Sequence, residues 1–322
     1  MQNWYIEKMI FKRHNRGRRQ FVTTLLIGGL TAFSGELIAG SPDARQKLIG
    51  SDEADGTPAG KTPDRKVSEI EIPGTVIPDS AIRDAVRKAE NFEHDFKDDI
   101  HVNDRESRLL SSVLKRMTRL QRTVGYGNFN LIDLDSARRF AKRYSGIGAF
   151  TKQEIVLIEA LFEFDASRYG FFGRKVSTTL TEEIQRKDVK KIRGSGHYLY
   201  QGDALALYRK IKKQLGDDLI LTSGIRSVVK QLYLFIAKAH KSGGNLSRAA
   251  RSLAPPGHSF HGIGDFDIGQ RGLGAANFTN AFAHTPLHEH LTELGYIAMR
   301  YPMANPYGVR HEPWHIKVVA DV

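Results

Sequence analysis

The sequence predicts an α+β fold, a small antiparallel sheet with flanking helices, preceded by an all-helical module. Three observations carry this expectation. Up to about residue 190 the apolar residues recur at helical spacing. After Gly194, helices alternate with short apolar runs, Leu219 to Thr222 and Ile316 to Val319, that suit buried strands. No regular βαβ period and no internal repeat connects them. The 322 residues, 40% of them hydrophobic, are enough for one large domain or two ordinary ones.

Each element has its own signal. In the module at 77–190, Leu109, Leu110, Val113, Leu114, Met117 and Leu120 form a helical stripe behind Asn103 and Asp104, both able to cap. A second helix is expected from Asp135 to Tyr144. A third begins at Thr151, where Thr151 and Glu154 make a capping box ahead of an apolar run to Phe164. The stripes read as core packing, and the module shows no chemistry. Gly170, Gly173 and the polar run Ser177 to Lys191 mark a boundary, so the second domain is set at 194–322. Within it, helices are expected from Gln201 to Leu215 and from Val228 to Lys241, on either side of the strand at Leu219.

The N-terminus carries a different signature. Lys8, Lys12, Arg13, Arg16, Arg18 and Arg19 precede an uncharged stretch from Phe21 to Gly35. That stretch falls short of the roughly 20 residues of a membrane span but suits a signal peptide, with Ala39 and Gly40 as a cleavage site. The paired Arg18 and Arg19 ahead of Phe21 resemble a twin-arginine export signal. Residues 1–40 therefore read as a signal peptide, and 41–76, rich in Gly, Pro, Asp, Lys and Ser, as a linker. The expected location is the periplasm or cell envelope of a bacterium, with membrane contact only through an uncleaved signal segment.

The formal charge of +12 is compatible with an anionic wall or membrane surface, and no nucleic-acid partner is expected. The sequence contains no Cys. That excludes a disulfide framework, a thiolate metal site and a lipid-anchor cysteine, so any metal must be held by His and carboxylate.

Two segments concentrate such groups. Residues 255–269 crowd His258, His261, Asp265 and Asp267 among glycines, which let the backbone approach a ligand closely. Residues 310–315 present Glu312 and His315 across a tight Pro313-Trp314 step that can aim both into one cleft. A catalytic zinc needs three protein ligands, an open position and a nearby carboxylate. His261, Asp267 and His315 can supply the ligands and Glu312 the base.

The pattern Ser259-Phe260-His261, Gly262, then Asp267-Ile268-Gly269, with Glu312-Pro313-Trp314-His315 some fifty residues on, resembles the zinc D-alanyl-D-alanine carboxypeptidases and dipeptidases. Their fold is shared with the hedgehog signalling domain. Upstream, Thr222 to Ser227 with Gln231 resembles that family's Ser-Gly-Tyr-Arg-Ser motif and its trailing Gln. The segment Leu291 to Tyr301 resembles the stretch before its last motif. The likeness covers about Gly194 to Val322. It implies that His261, Asp267 and His315 bind Zn2+, that Glu312 activates water, that Arg226 supports the polarised carbonyl or the substrate carboxylate, and that Ser259 and Gln231 line the substrate site.

The chain departs from the family in one place: His261 and Asp267 are six residues apart where the family usually has seven. Asp265, paired with His258, is a rival for the ligand role. Asp267 is preferred because Ile268 and Gly269 follow it as in the family. His197, His284, His288, His290 and His311 read as surface or packing residues.

The function implied is removal of a terminal D-alanine from peptidoglycan stem peptides. The alternatives are an L,D-carboxypeptidase or endopeptidase of the same fold, or a non-catalytic zinc-containing wall-binding module. A serine hydrolase is excluded, because Gly257-His258-Ser259-Phe260-His261 lacks the last Gly of the nucleophile elbow. For the export signal, Arg18→Lys with Arg19→Lys should block export, since a twin-arginine signal needs the guanidinium pair where a general signal needs only positive charge. Fractionating cells that carry the double mutant checks this, and normal export would refute it.

Overall fold

The computed structural model describes residues 71–72 and 75–318, which fall within one compact unit. The expected signal at 1–40, and the linker up to residue 70, lie outside the described residues. At the end of that linker, β1 (Glu71–Ile72) and β2 (Thr75–Val76) pair antiparallel.

Five helices follow: α1 (Asp79–Glu90), α2 (Asp104–Val124), α3 (Tyr126–Phe129), α4 (Leu134–Arg143) and α5 (Lys152–Glu163). Their starts are fixed locally. Asn103 with Glu106 and Thr151 with Glu154 form capping boxes on α2 and α5, and the Asp133 side chain accepts from the Ser136 amide to cap α4. Glu154 is buried and does more than cap. It also accepts from Ser112 and from Arg116 Nε at 3.0 Å, fastening α5 to α2.

The remaining elements build the sheet layer. A hairpin, β3 (Val189–Lys191) with β4 (Tyr198–Tyr200), precedes α6 (Asp203–Leu215), β5 (Leu219–Ser223), α7 (Val228–Lys241) and α8 (Leu246–Ser252). Then come β6 (Phe266–Gln270), α9 (Pro286–Glu293), β7 (Met299–Tyr301) and β8 (Glu312–Ile316). The four-stranded sheet is antiparallel in the order β5-β6-β8-β7. The expected α+β fold, helices followed by a small antiparallel sheet, is the one observed. Among the described residues no helix is long and apolar enough to cross a membrane.

Three expectations change. The last strand is Glu312–Ile316 and not Ile316 to Val319, so Glu312 and His315 both lie inside it. Pro313 argues against a central strand because it has no N–H for the ladder. The structure accommodates it at an irregularity: Tyr301 faces Glu312 and Met299 faces Ile316, so β8 spends four residues where β7 spends two. Second, the Gly- and Ser-rich stretch after Lys241 contains α8, capped by Asn245.

Third, the boundary near 190–194 does not separate two packed units. Leu110, Met117 and Leu157 of the helical segment share one core with Phe235, Leu246 and Ala249 of α7 and α8. Asp99 and Arg251 add a buried two-pronged ion pair, at 2.7 and 2.9 Å, across the same junction. A second cluster, with Leu205, Phe266, Ile268, Trp314 and Ile316, fills the space between the sheet, α6 and α9.

A fragment beginning at Gly194 would bare the α7 and α8 faces that the helical segment covers. Denaturant titration of that fragment should give no cooperative transition. In the whole chain, Phe235→Ala should remove roughly 3–5 kcal/mol of stability. A sharp transition in the fragment would contradict the shared core.

Candidate metal centre

The sheet places the reactive groups. Asp267 on β6 pairs directly with His315 on β8, and on its other side with Ser223 of β5. His261 comes from a single 3₁₀ turn, Phe260–Gly262, just before β6. His261, Asp267 and His315 are all buried, each offers one ligand atom, and these atoms lie within 4.8 Å of one another.

The outer partners decide which atoms point inward. His261 Nδ1 lies 2.8 Å from the Gly224 carbonyl and donates to it, leaving the Nε2 lone pair free. Gly224 makes this contact because it carries no side chain; a Cβ there would overlap the Tyr198 carbonyl. His315 turns Nε2 to Asp265 Oδ2 at 3.2 Å and Nδ1 to Glu312 Oε2 at 3.1 Å, with Asp267 Oδ1 3.6 Å from Nδ1. Two strand residues three apart normally face opposite sides of a sheet. The irregularity at Pro313 brings Glu312 and His315 to the same side.

His261 Nε2 and Asp267 Oδ1 face each other at 3.2 Å, yet among the described residues neither has a hydrogen-bond partner, although both are buried. Orphaned buried polar atoms are expensive, and a cation between them would satisfy both. Two imidazoles and one carboxylate, with Glu312 beside them, form the donor set that a catalytic zinc takes. The residues present fit the metal.

The rival pair lies elsewhere. His258 Nδ1 hydrogen-bonds the Gly173 carbonyl at 3.0 Å, its ring stands edge-on to Phe171, and burial lowers its pKa to about 4. Asp265 is completely enclosed and held by Arg300 Nε at 2.7 Å, by the Val318 amide at 2.8 Å and by His315. The Arg300 guanidinium in turn lies 3.8 Å over the Phe260 ring. Asp265 thus orients His315 from behind, and nothing in the sequence pattern marks Arg300 as its partner.

Arg226 donates through Nη2 to Asp267 Oδ2 at 2.5 Å and through Nε to Ser223 Oγ at 2.9 Å. Its Nη1 has no protein partner among the described residues. Ser259 and Gln231 are buried and make no hydrogen bond to the three metal-facing residues. Gln231 Nε2 is tied to the Ala254 carbonyl, and its Oε1 has no partner among the described residues. His197, expected at the surface or in packing, is half-buried, and its Nδ1 has no partner among the described residues. Burial and then the Arg226 charge lower its pKa to about 4, and it also feels Asp267, Lys230 and His261.

Protonation follows from these contacts. Burial and then Arg226 hold the His261 ring neutral. Burial opposes the charge on Asp267, but the Arg226 guanidinium and the charged His315 ring outweigh it and keep the carboxyl well below its usual range. For His315, burial opposes the cation, while hydrogen bonds to Asp265 and Glu312 raise its pKa to about 9. A metal taking Nδ1 must therefore displace a proton at neutral pH. Zinc affinity should rise by up to about tenfold per pH unit from pH 7 and level off near 9. The metal-free protein should show the opposite sign: the stability it draws from the charged ring is full below about pH 6.5 and lost as pH rises through 9. Competition with a zinc indicator across that range checks the first, and a flat profile would show that His315 is not a ligand.

Comparisons with known proteins bear on the C-terminal part. Residues 200–321 match the VanY family, described as D-alanyl-D-alanine carboxypeptidase. No curated protein sequence matches the chain. Among solved structures, similarity is found to a mutant of the vancomycin-resistance D,D-pentapeptidase VanY from a VanB-type cassette, in complex with Zn(II). It is 22% identical, covers 47% of this chain and 86% of that one, and has a TM-score of 0.36. VanYB in complex with D-alanine-D-alanine is similar at 22% identity, 47% and 85% coverage, and a TM-score of 0.36. The family model thus matches residues 200–321, the part of the chain whose motifs resemble D-alanyl-D-alanine carboxypeptidases.

Proposed function

We propose that the chain is a zinc-dependent D-alanyl-D-alanine carboxypeptidase acting on peptidoglycan stem peptides in the bacterial envelope, to which the segment at 1–40 exports it. The observation that carries this reading is the pair of orphaned atoms, His261 Nε2 and Asp267 Oδ1, beside His315 and within reach of the Glu312 carboxylate. His261, Asp267 and His315 would hold the ion. When bound, zinc supplies a Lewis acid that polarises the scissile carbonyl and makes water nucleophilic near neutral pH.

The chain's own residues do the rest. The Glu312 carboxylate accepts the proton of the attacking water and passes it to the amine of the departing D-alanine. Arg226, anchored on Asp267 and Ser223, keeps that ligand in place and directs Nη1 at the carbonyl oxygen as charge develops there. Asp265 and Arg300 fix the His315 ring. Ser259 and Gln231 would contact the peptide. Digestion of purified muropeptides, with the products weighed, tests the activity: alanine loss that a chelator abolishes is expected, and no alanine loss would refute it.

Three variants should differ in kind. Asp267→Ala should lose zinc and activity together, because two neutral imidazoles leave the ion without an anionic ligand. Glu312→Ala should keep zinc but slow by about a hundredfold or more. Asp265→Ala should weaken zinc by about tenfold to a hundredfold. Metal analysis of the three proteins decides, and zinc-replete Asp267→Ala beside empty Asp265→Ala would move the site to Asp265.

A further inference from the structure

A cavity of about 480 Å³ lies at the start of β8, within the roughly 300–1,000 Å³ of small-molecule sites. One wall is α1, through Val86 and Ala89, followed by Phe92; another is the loop after β7, which ends in Val309, Arg310 and His311. The α1 wall lies outside the residues that match the family model, 200–321. The loop wall runs straight into Glu312, so the cavity's edge at His311 is one residue, about 3.8 Å of backbone, from the proposed base.

The loop is held in shape. Buried Asn305 donates through Nδ2 to the carbonyls of Pro302 and Val309, at 3.0 and 2.7 Å, and the Arg310 amide donates to the Arg251 carbonyl at 2.9 Å. Gly308 sits so close to Gly170 that a Cβ would overlap its carbonyl. Ala304, which also lines the cavity, has a φ of +54, a conformation that a non-glycine residue keeps when its surroundings impose it.

Arg310 has its ring contacts but no counter-ion. Its guanidinium lies 4.8 Å over the Phe92 ring and 4.9 Å over that of Trp314. Stacking occupies the faces of the guanidinium plane and leaves the N–H donors, which lie in that plane, to other partners. Among the described residues the buried Nε has no hydrogen-bond partner and no carboxylate pairs with the group. Glu90, in the same cavity wall, is exposed and forms no ion pair with it. A guanidinium fork flanked by apolar side chains suits a carboxylate, which it can hold through two parallel N–H···O bonds.

We propose that this cavity is a second substrate site, in which Arg310 takes a carboxylate carried by the acyl part of the peptide. The inference rests on the carboxypeptidase reading above. Such an enzyme releases a single terminal residue, so a ligand group that reaches beyond the metal centre belongs to the acyl side of the cut bond. The α1 wall then gives the helical segment a part in choosing the substrate.

The test uses the zinc-loaded whole chain and two stem peptides ending in D-Ala-D-Ala with a free C-terminus, whose acyl-side carboxylates are free in one and amidated in the other. Calorimetry in a Glu312→Gln background reads binding apart from turnover, and kinetics with Glu312 in place read KM and kcat. The free acid should be preferred by about tenfold to a hundredfold, through KM. Arg310→Gln should collapse that preference towards unity while the protein keeps its zinc, and Arg310→Lys, which keeps the charge but loses the fork, should fall between the two. Equal affinity for acid and amide with Arg310 in place, no binding of either peptide, or an undiminished preference in either Arg310 variant would overturn the proposal. Peptides that bind with the expected preference but are never hydrolysed would overturn the carboxypeptidase reading and leave the Arg310 site standing.

Discussion

The site depends on one pairing in the β6–β8 ladder, which sets Asp267 against His315 in the middle of a four-stranded sheet. Placing a carboxylate next to two imidazoles in a dry interior is costly unless each remaining polar atom is satisfied. The surrounding structure meets that constraint. Arg226 takes the outer oxygen of Asp267, the Gly224 carbonyl takes the outer nitrogen of His261, and Asp265 with Arg300 takes the outer nitrogen of His315. What these partners leave unsatisfied points at one place.

The helical segment supports this arrangement from behind. The Gly257 carbonyl, at the start of the loop that carries His261, accepts from the amides of Val176 and Ser177. Gly257 has φ +87, and a Cβ there would press on Phe162. The Phe172 amide reaches the Tyr307 carbonyl in the loop before β8. Two loops that deliver metal-facing residues are thus laced to residues 172–177, and this lacing, like the shared core, ties the peptidase fold to the helices ahead of it.

Much of this was legible in the sequence because its signals are local. Capping boxes at Asn103 and Thr151, and helical stripes such as Leu110 to Leu120, need only neighbouring residues to be read. The residues at the centre stood out because His and Asp among glycines, and Glu312 with His315 around Pro313, are unusual at short range. The rest depends on distant partners. Arg300 is unremarkable until β7 brings it under Asp265, 35 residues away in sequence. The last strand was expected too late, at Ile316 to Val319, because Pro313 disfavours a strand that a misaligned ladder can nevertheless absorb.

The common core has a consequence for how the chain senses its metal. If the described unit unfolds as a whole, an ion that binds only the native state stabilises every element in it by mass action, by about 2.7 kcal/mol when free metal is a hundredfold above Kd. The backbone of α2 and α5, which contributes none of the three metal-facing residues, would open less often in the loaded protein than in the empty one. Proteases that sample transient openings would then clear zinc-starved copies along their whole length and spare loaded ones.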